Sequence, residues 1–272
     1  MNEQEPEVVA GFPEFWQIAH NKYPLFFRAA MDLMPLQNEI FIKPTSAPIH
    51  KVLRYIAKIV SNSLGALITL VLNGYGNDAM KVARGMFEGA VIAGYLMQHP
   101  DKLDDYIGWH WVRQRRLYEY MKKDDPELLQ RVSPEKVEKM KREFEAVRGR
   151  FTDSRGHLRT SWSEKPLRQM AEAVGLGQLY PTFYSFASSM HHLDIGALSA
   201  QTEDETLDVD VAPSEKWLGE ALIMGHNAVL HCLIHYNEVA NLGMGKQLEA
   251  ATESFKRAWG NDKRLHSTAN GG

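Results

Sequence analysis

The chain has 272 residues, of which 44% are apolar and 24% are charged, and its formal net charge is −3. This balance is typical of a water-soluble globular protein, and it excludes a strong overall attraction to nucleic acid or to an anionic membrane. The one cysteine, Cys232, excludes an internal disulfide and a cysteine-based zinc site. No apolar run is long enough to span a bilayer, so we expect a cytoplasmic protein without a membrane segment.

Helical periodicity dominates the chain, and we find neither an internal repeat nor an alternation of strands and helices. Proline, glycine and capping residues mark the ends of the helical segments. The predicted helices cover residues 13–34, 49–72, 79–97, 102–123, 134–147, 166–174, 179–192, 214–241 and 246–259. The sequence therefore predicts an all-α protein, a single multi-helix bundle of roughly eight helices with a polar loop or flap insertion.

The predicted organisation has three parts. An N-terminal helical segment covers residues 1–46, and the helical bundle core covers residues 47–260. Within this core, residues 124–175 are more polar and are predicted to form an insertion or flap. The last part, residues 261–272, is small and polar, and it is predicted to be a disordered tail.

The segment from Ala79 to Met97 is apolar or small on nearly every side, yet it contains Arg84 and Glu88. These two residues lie one helical turn apart on the same face. Because a helix that is apolar all round is normally buried, we expect a buried ion pair, which forms either a structural clamp or part of a site. The small residues of this helix, Gly85, Gly89 and Ala93, recur at every fourth position and predict close packing with a neighbouring helix.

A second helix, Leu179 to His192, is unusually polar along one face. Tyrosine can donate a hydrogen bond to a developing anion, and histidine can transfer protons near neutral pH. The alternative is a buried hydrogen-bond network that only ties helices together. The candidate site residues on this helix are Tyr180, Tyr184, Ser188, His191 and His192.

Two weaker patterns complete the candidates. His231 and His235 lie one turn apart, a spacing that can chelate a metal, but no Glu-x-x-His or His-Glu-x-x-His motif accompanies them. We therefore expect no metal and no cofactor. From residue 131 to 168 there are eleven Lys and Arg against six Asp and Glu. Interleaved with an aromatic residue, Trp162, this basic run either holds a phosphate backbone or is simply a solvated surface.

The stretches GYGNDAMKVARGMFEGAVIAGYL and, about a hundred residues later, YPTFYSFASSMHH resemble a widespread bacterial family known only as domain of unknown function 5677. The resemblance covers roughly residues 50 to 240. It implies a helical domain and no established activity. The residues at the matching positions of the family pattern are Tyr75, Arg84, Glu88, Tyr180, Tyr184, Ser188 and His192.

A looser resemblance is to the HEPN ribonucleases of toxin–antitoxin and phage-defence systems. These are helical bundles that place an Arg and a His at one dimer-related site. No basic residue directly precedes His191 or His192 in this chain. The resemblance therefore implies that the arginine comes from another helix, with Arg84 as the candidate.

These patterns lead to a hypothesis of a metal-independent, RNase-like enzyme or a toxin or phage-defence effector acting on RNA. Its buried centre would contain Arg84, Glu88, Tyr184, Ser188 and His192, with His192 or His191 as general acid and base. The residues expected to bind the substrate are Tyr75, Arg150, Arg155, Arg159 and Tyr180. The glycine-containing helix offers a packing face for a homodimer.

Two alternatives remain open from the sequence. The polar centre could bind a small anionic ligand without catalysis, as a sensor or interaction module. It could instead be a metal-dependent helical-bundle enzyme, with Glu88 and the histidines 191, 192, 231 or 235 as ligands.

Overall fold

The structure, a computed structural model, describes the backbone of residues 11–192 and 213–269, and the side chains of these ranges up to residue 260. The described part of the chain contains eleven α-helices and no strand apart from one isolated bridge, Thr152 to Leu158. The all-α prediction is confirmed, although there are more helices than the eight or so expected. In chain order they are α1 (Pro13–Lys22), α2 (Pro24–Ile42), α3 (Pro48–Leu72), α4 (Gly76–Gln98), α5 (Leu103–Asp124), α6 (Pro126–Gln130), α7 (Pro134–Arg148), α8 (Leu167–Ala173), α9 (Ser185–His192), α10 (Leu218–Ala240) and α11 (Gly245–Ala269).

Prolines set many of the helix starts. Five helices (α1, α2, α3, α6 and α7) have proline in their first turn, where its missing N–H is not needed. The first predicted helix, residues 13–34, is divided before Pro24, and α2 continues through Pro35 to Ile42, beyond the predicted end at residue 34. Its apolar residues at helical spacing, among them Leu33, Leu36 and Ile40, are buried and outweigh the cost of the internal proline.

Contacts within the chain define two compact units. One consists of residues 1–97 and 167–272, and the other of residues 98–166. In the first unit, α3 packs along α10 and α2 packs along α11. In the second unit, α5 packs on α7 around Val112, Phe144 and Phe151. The predicted insertion or flap, 124–175, overlaps the second unit, and its action as a flap stays a prediction.

The turn between α3 and α4 is held by Asn73. Its side-chain oxygen accepts hydrogen bonds from the Phe12 N–H at 2.9 Å and from Trp16 Nε1 at 3.1 Å, while its Nδ2 donates to the Thr69 carbonyl at 2.8 Å. The next residue, Gly74, has a φ of +74°, a conformation that favours glycine at a helix end. Through the hydrogen bonds of Asn73, this turn connects the N-terminal segment to the bundle.

Gly76 continues this turn at the start of α4. A Cβ atom at Gly76 would lie 1.9 Å from the Lys216 carbonyl oxygen, so only glycine lets the two backbones approach this closely. The contact lies just before Trp217, which has a φ of 65°, and α10 begins at Leu218 rather than at Ser214 as predicted. Ser214 instead donates its backbone N–H to the Gly74 carbonyl at 2.9 Å.

The length of α3 and the C-terminal end of α11 bear on two predictions made from the sequence. By length and composition alone α3 could cross a membrane, a test that core helices of soluble proteins also pass, so the absence of a membrane role stays a prediction. The backbone of α11 is helical to Ala269, which includes most of the tail predicted to be disordered. Residues 261–269 contain no proline, and residues 270–272 lie outside the described part of the chain.

The glycines of α4 differ in their surroundings, and this difference yields a first testable prediction. A Cβ atom at Gly89 would lie 2.6 Å from Val60 Cγ2, whereas one at Gly85 would meet nothing within 4 Å. We expect Gly85→Ala to raise the free energy of unfolding by about 1 kcal/mol, because alanine favours the helix. We expect Gly89→Ala to lower it by about 1 kcal/mol, because the stiff valine must move. Urea unfolding of both variants checks this, and shifts of the same sign would contradict it.

Candidate functional site

Arg84 and Glu88 form the predicted ion pair on α4, with Arg84 Nη2 2.9 Å from Glu88 Oε1. The pair was predicted to be buried, but the side chains of Arg84 and Glu88 are 19% and 35% exposed. The reason is that α4 is not covered on every side: Gly85, between the two residues, is exposed to solvent. The ion pair therefore lies at the edge of the bundle, partly accessible to water.

Tyr184 completes a three-residue arrangement that joins two helices. Its hydroxyl donates to Glu88 Oε1 at 2.8 Å and accepts from Arg84 Nη2 at 3.3 Å. The Arg84 guanidinium carbon also lies 5.3 Å from the centroid of the tyrosine ring. We call Arg84, Glu88 and Tyr184 the polar cluster. It links α4 to the segment that leads into α9.

The electrostatics of the polar cluster keep Tyr184 protonated. Burial and, after it, the hydrogen bond to the Glu88 carboxylate raise the pKa of Tyr184 to about 12. At neutral pH the tyrosine is therefore a hydrogen-bond donor and not a general base. Arg84 Nη2 serves both partners, and Nη1 of the same guanidinium makes no hydrogen bond within the described residues.

Aromatic rings fix the position of Tyr184. Tyr180 stacks on it with ring centroids 4.8 Å apart, and Phe87 of α4 contacts it at 5.3 Å. Tyr180 and Tyr184 bound one turn of π-helix that runs directly into α9. Phe87 was not among the predicted site residues, although its place directly before Glu88 was the available signal. The contacts of Tyr180 are those of a packing residue.

The histidines of α9 lie apart from the polar cluster. His191 and His192 are both exposed, with ring centroids 5.1 Å apart and nearly perpendicular planes. The expectation that His192 belongs to a buried centre is therefore wrong, because α9 reaches the surface in its last turn. From Tyr184 to these residues the helix rises about 11 Å. Ser188, between them, is half-buried, and no hydrogen bond joins it to the cluster within the described residues.

Tyr75, predicted to bind substrate, lies in the turn before α4. Its ring contacts Phe12 edge-on, with centroids 6.1 Å apart. About two and a half helical turns separate it from Arg84. Among the described residues no hydrogen bond connects Tyr75 to the polar cluster, so its contacts are those of the turn that holds the N-terminal segment.

The histidines of α10 are mostly packed into the bundle. His231 and His235 have ring centroids 5.7 Å apart, and a Cβ atom at Gly94 would lie 2.9 Å from His235 Nε2. In the described part of the chain, no group of three or more His, Cys, Asp or Glu is placed to hold a metal ion. No observation on the described residues therefore favours the metal-dependent alternative.

The predicted substrate-binding arginines lie in the second unit, residues 98–166. Arg159 Nη2 donates to the Arg150 carbonyl at 2.7 Å, and Arg159 Nη1 lies 3.0 Å from Glu164 Oε1. Arg150 is itself 3.3 Å from Asp105 Oδ1. The nearby Trp162 is buried and packs edge-on against Tyr106, so it is not free to stack a base. Of the three predicted arginines, only Arg155 has an exposed side chain without a hydrogen bond inside the described ranges.

Comparisons with known proteins give one positive result. The model of the family described as "Family of unknown function (DUF5677)" matches residues 50–208, which is more than half of the chain and includes the whole polar cluster and both histidines of α9. No curated protein and no solved structure matches the chain. Because the match covers more than half of its residues, the chain belongs to the DUF5677 family.

Proposed function

We propose that this protein cleaves RNA without a metal ion, with His191 and His192 supplying the acid and base. The observation that carries the proposal is the exposed pair of neighbouring imidazoles, 5.1 Å apart, on a helix that the polar cluster anchors to α4. Exposure suits a macromolecular substrate, and imidazole exchanges protons near neutral pH. The surface position of His192, unexpected from the sequence, is thus the position that an extended substrate requires.

In the proposed reaction one imidazole accepts the proton of the ribose 2′-hydroxyl, and the 2′-oxygen attacks the neighbouring phosphorus. The bond from phosphorus to the 5′-oxygen breaks, and the second imidazole, as imidazolium, protonates this leaving group. The products are a 2′,3′-cyclic phosphate and a 5′-hydroxyl end. The step needs no oxidant and no cofactor, and acid–base catalysis of this kind contributes about 10²- to 10⁴-fold.

In this proposal, Arg84 binds a negatively charged phosphate of the RNA strand. Its Nη2 is held by Glu88 and Tyr184, and its Nη1, which makes no hydrogen bond to the described residues, binds a phosphate oxygen. Glu88 and Tyr184 act as positioning residues, since they contact the arginine and not the substrate. As part of the same proposal the protein acts in the bacterial cytoplasm as a toxin or phage-defence effector and forms a dimer.

The experiment compares cleavage of a labelled single-stranded RNA by the wild type and by His191→Ala, His192→Ala and the double variant. We expect the double variant to lose at least about 100-fold in rate, and we expect EDTA to leave the wild type unchanged. His20→Ala, which removes an exposed histidine of α1, is the matched control. If the wild type leaves RNA intact, or if the double variant cleaves as fast as the control, the proposal is wrong.

A second candidate function rests on the partly exposed Arg84, whose side chain is 19% accessible to solvent. Its Nη1, which makes no hydrogen bond to the described residues, lies beside a neutral tyrosine and could bind a small anion without any reaction. In that case inorganic phosphate should raise the melting temperature of the wild type but not of Arg84→Met. A melting temperature that phosphate leaves unchanged in the wild type would remove this candidate.

A further inference from the structure

A groove within the second unit, residues 98–166, has a volume of about 560 Å³ and is rich in arginine. It lies between α5, α7 and the turn around residue 157. Three guanidinium groups line it, from Arg115, Arg116 and Arg148, together with the His157 imidazole. None of these is one of the arginines that the sequence predicted to bind substrate, of which Arg150 pairs with Asp105 and Arg159 with Glu164.

The charge of the groove is positive on balance. Two carboxylates, Glu119 and Glu145, also line it, so the three arginines leave one net positive charge before His157 is counted. The surrounding unit has the same sign: residues 98–166 contain sixteen Lys and Arg against thirteen Asp and Glu, in a chain whose net charge is −3. The positive charge of this protein is thus concentrated in the unit that holds the groove.

Two of the arginines are fixed and form the wall of the groove. Arg115 pairs with Glu119 at 2.5 Å, and its guanidinium carbon lies 5.6 Å from the Phe144 ring centroid. Arg116 donates to the Arg159 carbonyl and lies over the Trp109 ring. Because their positions are set before a ligand arrives, little side-chain entropy is lost when one binds.

The other basic side chains at the groove are exposed and are held only loosely by nearby carboxylates. Arg148 is 55% exposed, and its distance to Glu145 is 3.7 Å, too long for a strong hydrogen bond. The His157 side chain is 76% exposed, and its Nδ1 lies 3.7 Å from Asp153 Oδ2. The exposed Arg155 precedes Gly156, which also lines the groove. Basic side chains from three chain segments thus border an open groove, which suits a ligand with several phosphates better than a single small anion.

We infer that this groove binds a phosphodiester strand. The identification of that strand as single-stranded RNA rests on the proposed function. Arg115 and Arg116 form a fixed cationic wall, and Arg148 with His157 completes the contact with the phosphates. Of the two carboxylates, Glu119 pairs with Arg115 and Glu145 lies 3.7 Å from Arg148, and both are exposed to solvent.

The test measures binding of a fluorescein-labelled 2′-O-methyl RNA by anisotropy, since a strand without 2′-hydroxyls cannot be cleaved. The variant is Arg148→Gln with His157→Gln. Its matched control is Arg142→Gln with His110→Gln, which removes the same residue types from exposed positions of α7 and α5 outside the groove. We expect the Kd of the groove variant to rise on the order of fivefold. The slope of log K against log salt should decrease by about 0.7 for each lost phosphate contact.

The outcomes separate this inference from the proposed function. Equal losses in the groove variant and the control, at matched melting temperatures, would overturn the inference, and so would a wild type that does not bind the strand. If the groove variant binds weakly while the histidines of α9 prove irrelevant to cleavage, the groove assignment stands and the proposed function fails. If the histidines of α9 prove necessary for cleavage but the groove variant binds the strand as tightly as the wild type, the proposed function stands and the groove assignment fails.

Discussion

Lowering the pH from 7 to 5 is expected to reduce the free energy of unfolding by about 2 kcal/mol through His226 alone. This residue of α10 is 2% exposed, and its ring lies parallel to Phe255 with centroids 4.9 Å apart. Its Nε2 has no hydrogen-bond partner within the described residues. Burial lowers the pKa of His226 from 6.5 to about 4.

The sign follows from proton binding in the two states. Between pH 6.5 and pH 4 the unfolded chain binds a proton at this histidine and the folded chain does not, so protons favour unfolding. The contribution of His226 is therefore complete above pH 6.5 and is lost as the pH falls toward 4. Burial also lowers the pKa of His231, to about 4, and that of His235, so both add to the effect in the same direction.

Urea unfolding at pH 5, 6, 7 and 8 checks this expectation. The informative quantity is the change in unfolding free energy with pH, which is separate from the absolute stability of a variant. His226→Leu should flatten this dependence even if it weakens the packing on Phe255. His110→Gln, at an exposed position, should retain the wild-type dependence. Equal unfolding free energies at pH 5 and pH 7 in the wild type would contradict the assignment.

Removing one member of the polar cluster is expected to cost more than removing its two charges together. Arg84→Met leaves the half-buried Glu88 carboxylate without its cation, and Glu88→Leu leaves the guanidinium and the Tyr184 hydroxyl without their acceptor. We expect each single change to lower the free energy of unfolding by about 2 kcal/mol, because the site is only partly exposed. The double variant should lie within about 1 kcal/mol of the wild type, since no charge is left unpaired.

A double-mutant cycle measures this coupling, and α4 offers a control. Lys81 and Asp78 form an ion pair at 2.8 Å on the same helix, but one with more exposed side chains. Their coupling should stay below about 0.5 kcal/mol. Additive effects at Arg84 and Glu88 would show that the pair contributes no more than a surface salt bridge. Cleavage by the double variant separates the two roles, because a purely structural pair predicts unchanged activity and the proposed function predicts a loss.

The sequence by itself determined what depends on neighbours along the chain. The i, i+4 spacing of Arg84 and Glu88 predicted their ion pair, which forms within one helix and needs no other element. The proline at residue 134 predicted the start of α7, and Asn73 with Gly74 predicted the end of α3, because both signals act through local backbone geometry. Helical periodicity likewise predicted the all-α class.

Only the tertiary structure decided which faces are covered and which distant residues meet. Tyr184 hydrogen-bonds to Glu88 across 96 positions of sequence, and no periodicity along either helix specifies that contact. Gly85 and Gly89 look equivalent in the sequence, yet only Gly89 is pressed against Val60. The burial expected for His192 was wrong for the same reason. A residue's exposure depends on where its helix ends relative to its neighbours, and that is a property of packing between elements and not of local sequence.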